Sequence, residues 1–229
     1  MNPQLEQFIA ENTTTQWSPQ LPVPANLWLQ SSDWPWAPML PQQPFPQEAI
    51  VEELEAIDHH FVEHRANDKI HSYGHNGWFS LTLHGSDPHH TEHWDRYGFT
   101  SQEEAAYHWT SVCSIIPQTA QFVKSLPFTD HGRVRIMRLA PGGHIMPHSD
   151  GAGRIFGPYN FALTNPPGCQ FVVEGAGTVP FKPGLGFFVD IGRPHALYNN
   201  SPQPRYHVIV HGRPTTNITQ QVAHTLEQL

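Results

Sequence analysis

The second half of the chain predicts a mainly β fold, either a sandwich or a barrel, and the jelly roll is one such form. The chain of 229 residues contains 23 prolines and 17 glycines, which favours many short elements over long helices. From residue 132 onward, β-rich runs alternate with Gly and Pro turns, at 133–139, 144–148, 159–163, 170–173, 186–191, 195–198 and 205–211.

The length suits a single domain, and we expect one over residues 1–229. Its predicted parts are a Pro/Trp-rich wrap with a helix (1–73), a jelly-roll core with an inserted helix (74–212) and a C-terminal helix (213–229). The wrap is inferred from residues 13–46, whose eight prolines and four tryptophans are too aromatic for a disordered tail. We expect this segment to cover the domain and bury its indoles.

The predicted helices come from apolar residues at helical spacing. Residues 47–66 predict an amphipathic helix, and residues 102–126 predict a second helix that is interrupted near Pro117. Residues 78–84 alternate as a strand.

Composition argues against several classes of partner. The formal net charge is −8 with only 12 Lys and Arg residues, so neither nucleic acid nor a membrane surface is an expected partner. Residues 1–15 lack the features of a signal peptide, and no apolar run is long enough to span a bilayer. The two cysteines, Cys113 and Cys169, are not a disulfide framework, and a reducing cytoplasm is the expected location. Composition does not predict the oligomeric state.

The tripeptide His148-Ser149-Asp150 is the first half of a possible metal site. In an extended chain its outer side chains point to the same face. One imidazole and one carboxylate are two thirds of the facial triad that binds non-haem Fe(II). His195, which opens a later strand, is the candidate third ligand.

A second argument places His195 and Arg205 on the same face of the predicted sheet. If Leu197 lies opposite Arg205 across the turn at 199–204, then one face is shared by His195, Leu197, Arg205, His207 and Ile209. The predicted polar face would line a site, and the apolar opposite face would pack on helices.

From about residue 78 to residue 212 the chain resembles the aspartyl/asparaginyl β-hydroxylase family of Fe(II)/2-oxoglutarate-dependent dioxygenases, which includes free-proline hydroxylases. One His-x-Asp alone would be a weak signal, whereas its spacing to the later His and Arg is specific. The residues that carry the resemblance are 138–150 (RLAPGGHIMPHSD), 186–190, His195, Asn199 and Arg205-Tyr206-His207.

The resemblance implies a double-stranded β-helix, which is a cupin-like jelly roll, with iron on His148, Asp150 and His195. It also implies that Arg205 binds the distal carboxylate of 2-oxoglutarate, for which a planar, permanently charged guanidinium is suited. The implied reaction uses O2, hydroxylates an acceptor and converts 2-oxoglutarate to succinate. Ascorbate is an expected stimulant.

Two departures from the family pattern matter. Some members have Gly where this chain has Asp150, so the full triad here predicts the more usual iron site. Many members carry Arg-x-His on the next strand, whereas this chain has Pro158-Tyr159-Asn160. Asn160 is therefore the candidate hydrogen-bond donor to the 2-oxoglutarate 1-carboxylate. Trp78 and Arg154 are the candidate substrate contacts.

Two alternative functions remain open. Residues 89–93 fit the His-x-x-Glu-His pattern of a zinc peptidase, with His89, Glu92 and His93 in the site, although the Gly and Pro before them argue against the required helix. A non-catalytic, cupin-like protein that binds a small ligand is the other.

For a hydroxylase, the acceptor is open between an aspartyl or asparaginyl side chain, a free amino acid and a related small molecule. The loop at 85–98 and the N-terminal wrap are the expected specificity elements.

Overall fold

The structure is a computed structural model that describes residues 2–24, 27, 34–41, 43–65, 74–150, 158–215 and 217–229. The helices are α1 (Pro3–Asn12), α2 (Gln47–Ala56), α3 (Pro117–Ser125) and α4 (Ile218–Gln228), with short 3₁₀ turns at Asp58–His60, Trp94–Tyr97 and Ser111–Ser114. The strands are β1 (Trp36–Met39), β2 (Val62–Glu63), β3 (His75–Gly85), β4 (His108–Trp109), β5 (Phe128–Thr129), β6 (Val134–His148), β7 (Tyr159–Ala162), β8 (Cys169–Val173), β9 (Gly177–Thr178), β10 (Gly186–Val189), β11 (His195–Asn199), β12 (Arg205–Val210) and β13 (Arg213–Pro214).

The main sheet of the described chain is antiparallel and curls into a jelly roll, which confirms the predicted fold class. Its path runs β1-β10-β7-β12-β6-β11-β8-β9, and β3 pairs with β6 while also carrying β2 and β4. The strands β5 and β13 form a separate pair. Antiparallel strands of this kind bury one face, and the curling turns that face towards the interior of the roll.

The strand β6 holds the two halves of the roll together. Its first half pairs with β12, its second half pairs with β11, and β3 runs along its other edge. The sequence predicted two strands separated at Pro141-Gly142, whereas the structure has one strand of 15 residues. Gly142 takes up the bend with a φ of +71°. A Cβ on Gly143 would lie 2.8 Å from the Ala140 carbonyl oxygen, so the close approach there needs glycine.

The predicted pairing of Leu197 with Arg205 is wrong. Leu197 pairs with Ile145 and Arg205 pairs with Leu139, so β11 and β12 lie end to end along β6 and not side by side. The long β6 offers a pairing edge to both strands, which a local hairpin argument does not foresee. The predicted common face is still found, because Leu197 and Arg205 both line the interior cavity.

Asn199 fastens the turn between β11 and β12 onto the bend of β6. Its fully buried side-chain nitrogen donates to the carbonyls of Leu139 (3.0 Å), Ala140 (3.1 Å) and Gln203 (2.8 Å). Its oxygen accepts from the Ser201 backbone N–H (3.0 Å) and hydroxyl (2.7 Å). One amide therefore satisfies buried backbone groups on both sides of the turn.

We expect Asn199→Ala to lower the free energy of unfolding by about 3 kcal/mol, because several buried backbone groups lose their partner at once. Denaturant titration of the purified variant measures the change. The matched control is Asn200→Ala, since Asn200 is exposed and accepts only from the Tyr198 hydroxyl at 3.2 Å among the contacts of its side chain. Equal stability of the two variants would contradict this role for Asn199.

Both predicted helices are shorter than expected. The helix predicted over 47–66 ends at Ala56, and Val62 and Glu63 pair with β3 as β2. The helix predicted over 102–126 is real only as α3, because residues 108–109 pair with β3 and Ala106 has a positive φ of 48°. Pairing with the edge of β3 overrides local helical propensity in both places. The helix α1, which begins with an Asn2 cap, was missed by the sequence reasoning.

The N-terminal segment packs as predicted, with its indoles against the roll. Trp34 and Trp36 are buried, and Trp17 contacts both with ring centroids 5.4 and 5.0 Å apart. Trp28 lies outside the described residues. The strand β1 extends the main sheet by pairing with β10, which the sequence did not predict.

The C-terminal helix predicted over 213–229 is α4. The single domain over 1–229 stays a prediction. Within the described ranges, none of the helices combines the length and the apolar character that crossing a membrane requires.

Candidate metal centre and cosubstrate pocket

Three metal-ligating side chains converge at one end of the β6–β11 pair. His148 ends β6, Asp150 follows two residues later, and His195 opens β11 directly opposite His148. One ligand atom from each side chain lies within 4.8 Å of the others, and His195 Nε2 is 4.0 Å from Asp150 Oδ2. Among the described residues, this is the one group of three or more His, Cys, Asp or Glu side chains with such geometry.

Backbone contacts fix the orientation of both imidazoles. His148 Nδ1 donates to the Met146 carbonyl oxygen at 2.8 Å, and His195 Nδ1 donates to the Arg193 carbonyl oxygen at 2.9 Å. Since a carbonyl only accepts, each Nδ1 carries the proton, and each Nε2 is the ring nitrogen whose lone pair a metal would take. Phe171 stacks on His195 at 5.3 Å with an interplanar angle of 13°, which holds the ring in place.

Burial keeps these imidazoles neutral. Desolvation, followed by the neighbouring His195, lowers the pKa of His148 to about 4. Desolvation also lowers the pKa of His195. At neutral pH both rings are therefore in the form that binds a metal.

The triad opens into a cavity of about 390 Å³ that runs through the interior of the roll. Arg205 lies in its wall, 3% exposed. Its Nε donates to Asn165 Oδ1 at 3.3 Å, and its guanidinium carbon lies 5.6 Å from the centre of the Phe181 ring. Desolvation lowers the pKa of Arg205 to about 10, so the group stays charged at neutral pH. No carboxylate of the described chain lies within ion-pair distance of it.

His207 places a nitrogen without a hydrogen-bond partner in the cavity wall beside Arg205. Its Nδ1 lies 2.9 Å from an Arg205 terminal nitrogen and 2.8 Å from Asn160 Oδ1. Its Nε2 is buried without a hydrogen-bond partner, although the ring lines the cavity. Burial, with the charge of Arg205, lowers the pKa of His207 well below its ordinary value, so the ring is neutral. A buried nitrogen without a hydrogen-bond partner in a cavity wall is available to a molecule bound in the cavity.

Two of the other predicted site residues lie in the cavity wall. Asn160 and Trp78 line the cavity, 8% exposed each. Arg154 lies outside the described residues. The sequence reasoning passed over the cavity-lining residues Arg133 and Arg135 at the start of β6, although alternation with Met137 and Leu139 was a usable signal.

The zinc-peptidase pattern at 89–93 does not form a metal site. His89 and His93 are exposed and lie in a loop, not on a helix. His93 Nδ1 is 3.0 Å from Asp95 Oδ1, and His90 stacks on Tyr97 at 3.6 Å. The side chains of His89, Glu92 and His93 are not a ligand group within the described chain.

A family model decides the identity. Residues 46–214 match the model of the aspartyl/asparaginyl beta-hydroxylase family, which is most of the chain. The chain belongs to this family. A search among curated proteins returned no match.

Several solved structures are similar to this chain at low identity. A Pseudomonas putida prolyl-4-hydroxylase is 14% identical with a TM-score of 0.42, over 79% of this chain and 92% of that chain. A Trichoplax adhaerens prolyl hydroxylase, solved with a hypoxia inducible factor peptide fragment, is 10% identical with a TM-score of 0.45, over 81% and 86%. A viral collagen prolyl hydroxylase from Paramecium Bursaria Chlorella virus-1, solved with 2-oxoglutarate, is 12% identical with a TM-score of 0.41, over 77% and 94%.

Aspartyl/asparaginyl β-hydroxylases are Fe(II)/2-oxoglutarate-dependent oxygenases. The side chains of this protein fit both the iron and the 2-oxoglutarate. The two imidazoles and one carboxylate are the donor set that Fe(II) takes while leaving open positions. Arg205 is a buried cation without an acidic partner among the described residues, and it lies beside the imidazole nitrogen of His207 that has no hydrogen-bond partner. This pair fits a dicarboxylate cosubstrate. Family membership also sets aside the non-catalytic alternative.

Proposed function

We propose that the protein holds Fe(II) on His148, Asp150 and His195, binds 2-oxoglutarate through Arg205, and hydroxylates an aspartyl or asparaginyl side chain, a free amino acid or a related small molecule. The observation that carries this proposal is that three metal-ligating atoms and the buried Arg205 converge on a single cavity. Arg205 has no acidic partner among the described residues.

Each side chain has a defined task in this proposal. The two Nε2 atoms and the Asp150 carboxylate hold the metal, whose chemistry when bound is the activation of O2 that is coupled to decarboxylation of 2-oxoglutarate to succinate. Arg205 binds the distal carboxylate of the cosubstrate by a charge-assisted hydrogen bond. Asn160 contacts His207 and lines the same cavity, and its amide is proposed to donate a hydrogen bond to the 1-carboxylate of the cosubstrate.

The direct test is succinate formation by the purified protein with Fe(II), ascorbate and 2-oxoglutarate. We expect slow succinate formation without acceptor and faster formation when a metabolite extract or a peptide panel supplies one. Mass spectrometry of the mixture should then show a product that has gained one oxygen atom. The control is the same mixture with Zn(II) in place of Fe(II). Silence across the extract and a broad amino-acid and peptide panel would overturn the proposed function.

The cytoplasmic location stays a prediction from the sequence. Both cysteines, Cys113 and Cys169, are free in the structure.

A further inference from the structure

The two histidine ligands are oriented by carbonyl groups of different kinds. Each Nδ1 donates to the carbonyl two residues earlier, which belongs to Met146 for His148 and to Arg193 for His195. Met146 lies inside β6, and its N–H donates to the Gly74 carbonyl oxygen at 2.8 Å. Arg193 lies between the end of β10 and the start of β11, in no strand of the described chain. The direction of its carbonyl is therefore not set by strand pairing.

The turn at residues 190–194, which we call the ligand turn, contacts two of the three proposed metal ligands. The Arg193 carbonyl oxygen accepts from His195 Nδ1 at 2.9 Å. The Ile191 carbonyl oxygen accepts from the Asp150 backbone N–H at 2.9 Å. A shift of this turn would therefore move both ligands.

The side chain of Asp190 lies at the centre of the ligand turn. Asp190 is 4% exposed, and a buried carboxylate costs free energy unless its oxygens accept hydrogen bonds. Its Oδ1 accepts from the Gly192 N–H at 3.1 Å, and its Oδ2 accepts from Arg193 Nε at 3.3 Å. Its backbone carbonyl accepts from the Arg193 N–H at 3.2 Å. These three bonds fix both the backbone and the side chain of the residue whose carbonyl orients His195.

Neighbouring segments hold the two ends of the ligand turn. The Asp190 N–H donates to the Pro35 carbonyl oxygen at 2.9 Å, just before β1. The Pro194 carbonyl oxygen accepts from the Glu174 N–H at 2.8 Å, just after β8. Between these two anchors, the Asp190 carboxylate bonds the turn to itself. Its removal would leave the ends in place and loosen the part that contacts the ligands.

We propose that Asp190 is a positioning residue for the metal centre, because it holds the ligand turn in the form that presents His195 and Asp150. This inference rests on the proposed function and adds a residue to its machinery. Asp190 does not line the cavity, although its neighbours Val189 and Ile191 do. It therefore acts through the ligands and not by contact with a bound molecule. Groups that orient a metal ligand are worth about 10–100-fold in metal affinity or activity.

The first test measures the dissociation constant of Fe(II) by calorimetry without O2. We expect Asp190→Ala to raise it about tenfold or more. Asp190→Asn should raise it by about threefold or more, because the amide oxygen still accepts from the Gly192 N–H but the charge beside Arg193 is lost. The matched control is Asp130→Asn, which removes an exposed carboxylate whose Oδ2 lies 3.5 Å from Arg213 Nε. Dissociation constants within about twofold of the unaltered protein for both Asp190 variants would overturn the inference.

The visible absorption of the Co(II)-loaded protein separates positioning from a general loss of stability. This absorption depends on the geometry of the ligands, so a displaced His195 changes the positions or intensities of the bands. We expect a changed spectrum for Asp190→Ala and an unchanged one for Asp130→Asn. A residue that only stabilises the fold would lower the free energy of unfolding of the metal-free protein and leave the spectrum of the folded protein unaltered. That outcome would overturn the inference.

The exchange of the imidazole N–H protons with water gives a readout that needs no metal. Proton–nitrogen NMR detects these protons, and His195→Ala identifies the His195 signal by its absence. We expect Asp190→Ala to speed up exchange at His195 Nδ1, since the Arg193 carbonyl is no longer held. His148 Nδ1 is the internal control, because its partner Met146 lies inside β6. Equal exchange changes at the two rings, or no change at either, would overturn the inference.

Failure of the inference and failure of the proposed function give different results. If the unaltered protein binds neither Fe(II) nor Co(II), the proposed function is wrong and the inference falls with it. If the unaltered protein binds metal, and the Asp190 variants bind it equally well with the same spectrum, only the role of Asp190 is wrong. Should Asp190→Ala fail to fold, Asp190→Asn decides by the same measurements against Asp130→Asn.

Discussion

His148→Ala and Asp150→Ala should each reduce Fe(II)-dependent succinate formation by more than about 100-fold. Loss of a residue that only supports a metal ligand already costs about 10–100-fold in affinity or activity, so loss of a ligand costs more. The remaining two side chains cannot complete the facial set, and no other His, Cys, Asp or Glu of the described chain stands with them.

Iron uptake separates a ligand from a residue that merely supports the fold. We expect the unaltered protein to bind Fe(II) at one site without O2, and either variant to bind it far more weakly, with an unfolding transition close to that of the unaltered protein without metal. His195→Ala should behave in the same way, because its Nε2 faces Asp150 at 4.0 Å. Full iron binding by these variants would show that His148, Asp150 and His195 are not the metal ligands.

The matched control for the triad is His89→Ala. His89 belongs to the competing zinc-peptidase pattern, its side chain is 52% exposed, and it does not line the cavity. We expect its iron binding and succinate formation to stay within about twofold of the unaltered protein, as for ordinary surface substitutions. Loss of activity in His89→Ala with full activity in His148→Ala would favour the peptidase interpretation.

The sequence allowed the ligand set to be predicted because its signals are local or regularly spaced. His148 and Asp150 lie two residues apart on an extended segment, and the spacing of His195 and Arg205 carries the family pattern. The predicted hairpin register was wrong because β6 is long enough to pair with both β11 and β12. Nothing near Leu197 in the sequence says which strand lies beside it.

The position of Arg135 in the cavity wall was not predicted for a related reason. Arg135 and Met137 alternate visibly, but which side faces inward depends on their pairing with β3 and β12, which are distant in sequence. The hydrogen bond from Arg135 to the Thr91 carbonyl depends on the fold of a loop over β3, where the Pro88 carbonyl accepts from the Thr82 backbone N–H at 2.8 Å. Tertiary pairing also ended the helix predicted over 102–126. Long-range contacts of this kind leave no short periodic signal.

Arg205→Met is expected to raise the dissociation constant of 2-oxoglutarate roughly 100-fold, in line with loss of hydrogen bonds to a charged group of about 1.5–3 kcal/mol. Arg205→Lys should recover only part of that affinity, because an ammonium lacks the planar fork that matches a carboxylate. Calorimetry with Fe(II) and without O2 measures both values. The control is Arg213→Gln, because Arg213 is exposed and does not line the cavity.

The stability of Arg205→Met without ligand distinguishes a cosubstrate anchor from a structural cation. Burying a charge without an acidic partner costs free energy. Arg205 is 3% exposed, and its contacts within the described part of the chain are the neutral Asn165, His207 and Phe181. An apolar side chain of similar length removes that cost. We therefore expect the free energy of unfolding of the variant to stay within about 1 kcal/mol of the unaltered protein, or to rise.

With 2-oxoglutarate added, the unaltered protein should become more stable than Arg205→Met. At a concentration of 100 times the dissociation constant, a ligand that binds only the folded state stabilises it by about 2.7 kcal/mol. The unaltered protein should gain this stabilisation from 2-oxoglutarate, while Arg205→Met at the same concentration should gain about 0.4 kcal/mol, because its sites are only half filled. A variant that is several kcal/mol less stable without ligand, yet keeps its affinity for 2-oxoglutarate, would show that Arg205 serves the fold and that another group anchors the cosubstrate.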